Sequence, residues 1–424
     1  MKKYFMSVAA LAGMMSLAAC SSDDIVSPAD NDVQTIKIAV ASTGDKSMRS
    51  RDLNSEEPAQ KIENVAVVIR DKATNTVVYQ TIINDWDTKS KPYTDNGHGR
   101  ECTLKLEGAD RLNAGEYTIT AVGYTAADFK DNTNTIESAT KGKVVPGNFT
   151  AEVPDDKAAQ EAFAGESSIK LLEDHAAINP SVTLHRQVAG YYGYFTSIPV
   201  EVNSKKVTDV RLVARSKNMK LTYGNFNSSF TTTNDKIMYV VNGSEPATIK
   251  DAKFKGSADN DAYTLYNIKV TDWFTQGDMN KDGILDEKDE GWKNPLTTKG
   301  YLTTQKGTIF AGGFAVPFAA TDAATLELQL LDESGEILKS WTVAMATPQP
   351  TGQGVDGVAL TVPETVQNFS FFRNHMYTLG KKVDNTDKPG TTTPDEPEPL
   401  DKSQSMILRV NDNWEVINRM TIGD

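Results

Sequence analysis

The stretch Ser405-Met406-Ile407-Leu408-Arg409-Val410-Asn411-Asp412-Asn413-Trp414-Glu415-Val416-Ile417-Asn418-Arg419-Met420-Thr421-Ile422-Gly423 reads as strand. Its even positions carry Met406, Leu408, Val410, Trp414, Val416, Met420 and Ile422, broken only by Asp412 and Asn418, while the odd positions are mostly polar. Alternation of period two gives a strand one buried face. Alone, such a strand cannot hide that face or pair its backbone N–H and C=O groups, so it needs a sheet. Residues 384–404 just upstream are rich in Pro, Thr, Asp and Glu, a composition that stays extended. A strand behind a tether points to a strand offered to another chain's sheet.

The chain has 424 residues, enough for two or three domains. Its net charge of −13 and the lack of a basic cluster exclude nucleic acid as an expected partner. Met1-Lys2-Lys3, the apolar run 4–17 and Leu17-Ala18-Ala19-Cys20 have the layout of a secretory signal. The run is too short for a membrane span. Leu-Ala-Ala before Cys20 resembles the bacterial lipobox, in which the Cys thiol takes a covalent lipid. Ser21-Ser22-Asp23-Asp24 then resembles the surface-export tag of Bacteroidales lipoproteins. The other cysteine, Cys102, has no intrachain partner once Cys20 is lipidated; on the apolar alternation of residues 102–106 it reads as an inert buried thiol.

Between these ends the chain is a series of short strands. Residues 33–40 form the first, with Ile36, Ile38 and Val40 on one face. A hydrophilic segment, 42–52, follows without periodicity, and its Arg49 and Arg51 are candidate sites for a trypsin-like protease. A hairpin is expected over 62–70 and 77–83, then strands at 102–106 and 117–124, a short helix at 155–163, and strands at 167–172 and 182–189. The second half reads as strands at 191–202, 207–215, 219–223, 237–241, 262–270, 307–318, 326–331, 337–345 and 375–383. Short strands, frequent turns and little helix mark antiparallel β-sandwiches. No nucleophile motif, phosphate loop or reasoned carboxylate pair is present, so no enzyme is expected.

One loop has metal-ligand spacing. Asp278-Met279-Asn280-Lys281-Asp282-Gly283-Ile284-Leu285-Asp286-Glu287-Lys288-Asp289 follows the D-x-N-x-D-G pattern of an EF-hand loop. Asp278, Asn280, Asp282, the Ile284 carbonyl, Asp286 and Asp289 are the candidate Ca2+ ligands, and Gly283 permits the sharp turn. Asp289 stands where an EF-hand has Glu, as in dockerin-type loops. The competing expectation is an Asx-rich surface turn.

The whole layout resembles the Bacteroidales fimbrillins, the shaft subunits of type V pili. The likeness is carried by residues 17–20, 33–40 with Arg49 or Arg51, Phe163-Ala164-Gly165, Val182-Thr183-Leu184-His185-Arg186-Gln187-Val188-Ala189, Phe372-Arg373-Asn374-His375-Met376-Tyr377 and the C-terminal strand. It implies an all-β chain of two antiparallel, Greek-key-like, transthyretin-like β-sandwich domains plus a C-terminal donor strand. The expected division is a lipoprotein signal peptide at 1–19, a lipidated propeptide at 20–51, sandwiches at 52–188 and 189–383, a spacer at 384–404 and the donor strand at 405–424. The likeness further implies an outer-membrane precursor cut by a trypsin-like protease, which releases lipid and first strand together. The C-terminal strand of an identical or homologous pilin subunit then fills the groove, head to tail, building a surface fimbrium that engages a host or bacterial receptor. The alternatives are a tip adhesin and a surface glycan-binding lipoprotein.

Overall fold

The computed structural model describes residues 33–40, 62–92, 100–125, 135–152, 161–214, 216–223, 243–248, 263–296, 304–317, 326–345, 371, 376–381, 395–402 and 406–411. The first part of the chain supplies β1 (Gln34–Val40), β2 (Asn64–Asp71), β3 (Val77–Asn84), β4 (Lys91–Pro92), β5 (Arg100–Leu106), β6 (Gly115–Tyr124), β7 (Thr150–Glu152), β8 (Ala162–Leu171) and β9 (Ser181–Arg186). Then come β10 (Ala189–Thr196), β11 (Ile198–Pro199), β12 (Glu201–Val202), β13 (Lys205–Lys206), β14 (Asp209–Ala214), β15 (Ser216–Thr222), β16 (Gly243–Thr248), β17 (Tyr263–Lys269) and β18 (Ile284–Leu285). β19 (Thr308–Ala315), β20 (Leu326–Leu331), β21 (Ile337–Met345), β22 (Met376–Leu379), β23 (Glu398–Pro399) and β24 (Met406–Asn411) complete the set. Among the described residues the α-helices, α1 (Trp86–Lys89) and α2 (Val270–Trp273), are single turns. The chain is all-β, as its alternation requires.

The first large sheet runs β3-β2-β6-β8-β9-β1-β5-β4. It folds on itself at β8–β9, which share only Phe163↔Arg186 and Ala164↔His185. Two four-stranded leaves therefore enclose one core: Val65, Val67 and Ile69 of β2 and Ile119 of β6 meet Ile36, Ile38 and Val40 of β1 and Val182 and Leu184 of β9. β2 reads Val65-Ala66-Val67-Val68-Ile69 without a polar break because its other face is buried too. There Ala66 and Val68 share a cluster with Phe149, Ala151, Leu221 and Tyr223 of the small β16-β15-β7 sheet and its flanks.

The fold at β8–β9 joins two of the quoted motifs. A Cβ on Gly165 would lie 2.0 Å from the Thr183 carbonyl oxygen, so only glycine lets β8 approach β9 this closely. Arg186, fully buried, donates from Nε and Nη2 to Glu161 Oε1 at 2.9 and 2.6 Å and lies over the Phe163 ring at 5.0 Å. These residues hold the corner together.

The second sheet runs β17-β14-β20-β21-β24-β22-β10-β19, with β23 on β10. Its core is aromatic. Tyr191 and Phe195 of β10 meet Tyr266 of β17, with ring centroids 6.2 and 6.4 Å apart, and the Tyr191 hydroxyl donates to the Leu265 carbonyl at 2.9 Å.

Several expectations need correction. The helix over 155–163 does not extend to its end: Ala162 and Phe163 are in β8, paired with Tyr124 and Gly123, and 155–160 lie outside the described residues. Strand pairing overrides local helix preference there. Val270, read as the last residue of a strand, opens α2. The spacer is not wholly extended in solvent: Lys381 and Glu396 exchange backbone hydrogen bonds, β23 pairs with β10, and Leu400 is fully buried. The strand expected at 237–241 lies outside the described residues.

Candidate functional site

The first strand sits inside its sheet. β1 runs antiparallel to β5, with Gln34↔Leu106, Ile36↔Leu104, Ile38↔Cys102 and Val40↔Arg100. On its other side it runs parallel to β9, with Ile38↔Val182 and Val40↔Leu184. Gln34, Ile36, Ile38 and Val40 all show 0% exposure, so every second side chain of β1 is a core residue. Thr35 and Lys37 donate backbone N–H groups to the Ile178 and Pro180 carbonyls, each at 2.9 Å. Outside, Lys37 pairs with Glu101 at 2.5 Å, a partly exposed ion pair worth about 0–1 kcal/mol. Without β1, two strand edges and an apolar strip including Leu104, Leu106, Val182 and Leu184 would face water. Unpaired edges of this kind accept an added strand.

Gln34 is the residue that the reading of the first strand misses. Its Nε2 donates to the Leu112 carbonyl at 3.0 Å and the Ala176 carbonyl at 2.9 Å, and its Oε1 accepts the Leu112 N–H at 2.6 Å. One end of the apolar seat is thus a polar socket filled by an amide. The available signal is that Gln34 lies in phase with Ile36, Ile38 and Val40. Cys102, opposite Ile38, is half-buried, and burial raises its thiol pKa, which disfavours the thiolate.

The C-terminal strand is not free over its described part. β24 is inserted between β21 and β22: Met406 and Leu408 stand beside Val343 and Met345 in parallel, and Val410 opposite Tyr377 in antiparallel. Met406 is buried. The tether therefore leads first into the chain's own second sheet. Trp414, Val416, Met420 and Ile422 lie outside the described residues, as do Cys20, Arg49 and Arg51.

The Asp-rich loop is closed by hydrogen bonds. Asp278 accepts N–H groups from Lys281 at 2.7 Å and Gly283 at 2.9 Å. Asp282 accepts the Ile284 N–H at 3.1 Å, which holds its carboxyl below the usual range. Asn280 accepts the Asp282 N–H at 3.1 Å. Asp289, fully buried, ties both ends by accepting from Met279 at 2.8 Å and Asp286 at 3.0 Å. Gly283 takes φ +87°, as the turn requires. The Lys288 ammonium reaches Asp286 at 3.0 Å and Asp282 at 3.4 Å, and Asp286 raises its pKa. One positive charge thus already sits against two of the candidate ligands, and among the described residues no three His, Cys, Asp or Glu side chains are gathered to hold a metal. Ile284 and Leu285 pair as β18 with β11, directly after β10.

No protein-family model and no curated protein matches the chain. Among solved structures, it is similar to a proposed cell adhesion protein of Parabacteroides distasonis, with 11% identity over 90% of this chain and 96% of that one and a TM-score of 0.40. A fimbrial assembly protein of the same species is 13% identical over 82% and 92% of the two chains, with a TM-score of 0.37. The tip fimbrial protein Mfa3 of Porphyromonas gingivalis, C-terminally truncated, is 10% identical over 84% and 96%, with a TM-score of 0.31.

Proposed function

We propose that this chain is a structural subunit of a cell-surface fimbria that polymerises by protease-triggered strand donation. It is exported as a lipoprotein on Cys20, cut after Arg49 or Arg51, and loses the lipid and β1 together. The C-terminal segment of a neighbouring subunit takes the seat of β1, and the contact repeats head to tail because donor and acceptor are different surfaces. The filament supports adhesion. One observation carries the reading: β1 is hydrogen-bonded on both sides and faces the core with every second residue, so its loss leaves a seat fitted to one strand. In this reading β24 anchors the tail in its own subunit, and the residues beyond it are donated.

The second reading, a tip adhesin or glycan-binding lipoprotein, also has an observation in its favour, since β24 completes the sheet of its own chain. Protease treatment of the precursor, made without residues 1–19 and with Cys20→Ser, separates the two. The expected result is a ladder on unboiled SDS gels, lost on truncation after residue 411 and on Arg49→Ala/Arg51→Ala substitution. A cleaved precursor that gives no ladder overturns the filament reading in favour of the second. Calcium at 278–289 is a separate part of the proposal, in which the ion displaces the Lys288 ammonium. Calorimetric titration should then show one site, strengthened by Lys288→Met; no heat in either protein removes it.

A further inference from the structure

We infer that the donated segment enters the seat of β1 in one direction and one register: Asn418 of a second copy replaces Gln34, Met420 replaces Ile36, and Ile422 replaces Ile38. The incoming strand runs as β1 does, parallel to β9 and antiparallel to β5. The inference rests on the strand-donation reading and adds to it the residue that sets the register.

The seat is not uniform along its length. At the Gln34 end it presents the Leu112 N–H and the Leu112 and Ala176 carbonyls, all satisfied by one amide. The Leu112 carbonyl also accepts the His175 N–H at 3.0 Å. The Leu112 N–H and the Ala176 carbonyl depend on Gln34 more heavily, and Leu112 is 3% exposed. An apolar occupant leaves such groups buried and unpaired. A carboxylate accepts but cannot donate to the two carbonyls; an amide does both.

The inward face of the C-terminal stretch holds two polar residues, Asp412 and Asn418, and only Asn418 is an amide. Two and four residues after it come Met420 and Ile422, as Ile36 and Ile38 follow Gln34. Placing Asp412 in the socket instead sets Trp414 in the space of Ile36, an overpacked fit. Reversing the strand with Asn418 in the socket sets Trp414 in the space of Ile38, again an overpacked fit; the Val40 position receives an aspartate in either direction, Asp412 in the reversed strand and Asp424 in the assigned one. Residues 406–408 already pair with β21 and residues 409–411 with β22, which leaves the segment beyond them for donation.

Cys102 gives a direct test, because it stands opposite Ile38. Opposed residues of an antiparallel pair are close enough for a disulfide. Ile422→Cys, Val416→Cys and Trp414→Cys are introduced singly into the Cys20→Ser precursor, which is then cleaved, polymerised, oxidised and boiled without reductant. A covalent ladder confined to Ile422→Cys is expected. A ladder from Val416→Cys marks the Asp412 register, one from Trp414→Cys marks the reversed strand, and either overturns the inference. An unboiled ladder with no cross-link from any variant also overturns it and leaves strand donation standing. No unboiled ladder at all removes strand donation itself. As a second readout, Asn418→Leu should speed ladder dissociation in SDS about tenfold or more, and Asn418→Gln should restore it. Equal rates for the two variants would remove Asn418 from its assigned role.

Discussion

β1 and β10 occupy the same place in two sheets built on one plan. Each lies antiparallel to one neighbour, β5 or β19, and parallel to the other, β9 or β22. Their side chains and connections differ. β10 follows β9 after Gln187 and Val188, carries Tyr191, Tyr192, Tyr194 and Phe195, and runs on into β11, clasped by β18. β1 is filled by aliphatic side chains and one amide, and the chain after it carries the candidate cleavage sites. A strand's place in a sheet does not decide whether it can be exchanged. The size of its side chains and the number of its covalent and loop attachments do.

The comparison breaks if β10 proves no more deeply rooted than β1. Phe195→Ala should cost about 3–5 kcal/mol in urea unfolding, since a large ring leaves a cavity that aromatic neighbours cannot close. Gln34→Leu tests the socket and should cost about 1–3 kcal/mol in the uncut precursor, with faster loss of β1 in hydrogen exchange. Ile38→Val should cost only about 0.5–1.5 kcal/mol; a loss as large as that of Phe195→Ala would erase the distinction. The smallest effect concerns the clasp on β10. The Asp282 carboxyl lies below its ordinary value of 3.8 when folded, so its contribution is complete above that pH and fades as acid carries the loop through the lowered value. Fluorescence of Trp273 and Trp292, whose rings lie 6.4 Å apart beside the loop, should change below about pH 4, while protection of β1 stays unchanged.

Much of the fold was legible in the residues. The hairpin of β2 and β3 and that of β20 and β21 stand where alternation and turn residues put them. The inward face of β1 was legible from Ile36, Ile38 and Val40. Its neighbours were not, because β5 and β9 lie far along the chain and alternation carries no partner information. Gln34 was hidden because a polar residue at a strand end reads as its solvated margin. Residues 155–163 misled because an acidic first turn and alanines satisfy helix rules locally, whereas Ala162 and Phe163 answer to Tyr124 and Gly123 across the sheet. The tail misled in the opposite sense, since a spacer rich in Pro and Glu gives no hint that Leu400 and Met406 are buried.

The insertion of β24 between β21 and β22 has a mechanical consequence. Tension applied beyond Asn411 pulls along the strand axis, while the ladder bonds on both flanks lie across it. The bonds therefore share the force in shear and give way together, where a peeled edge would lose them one at a time.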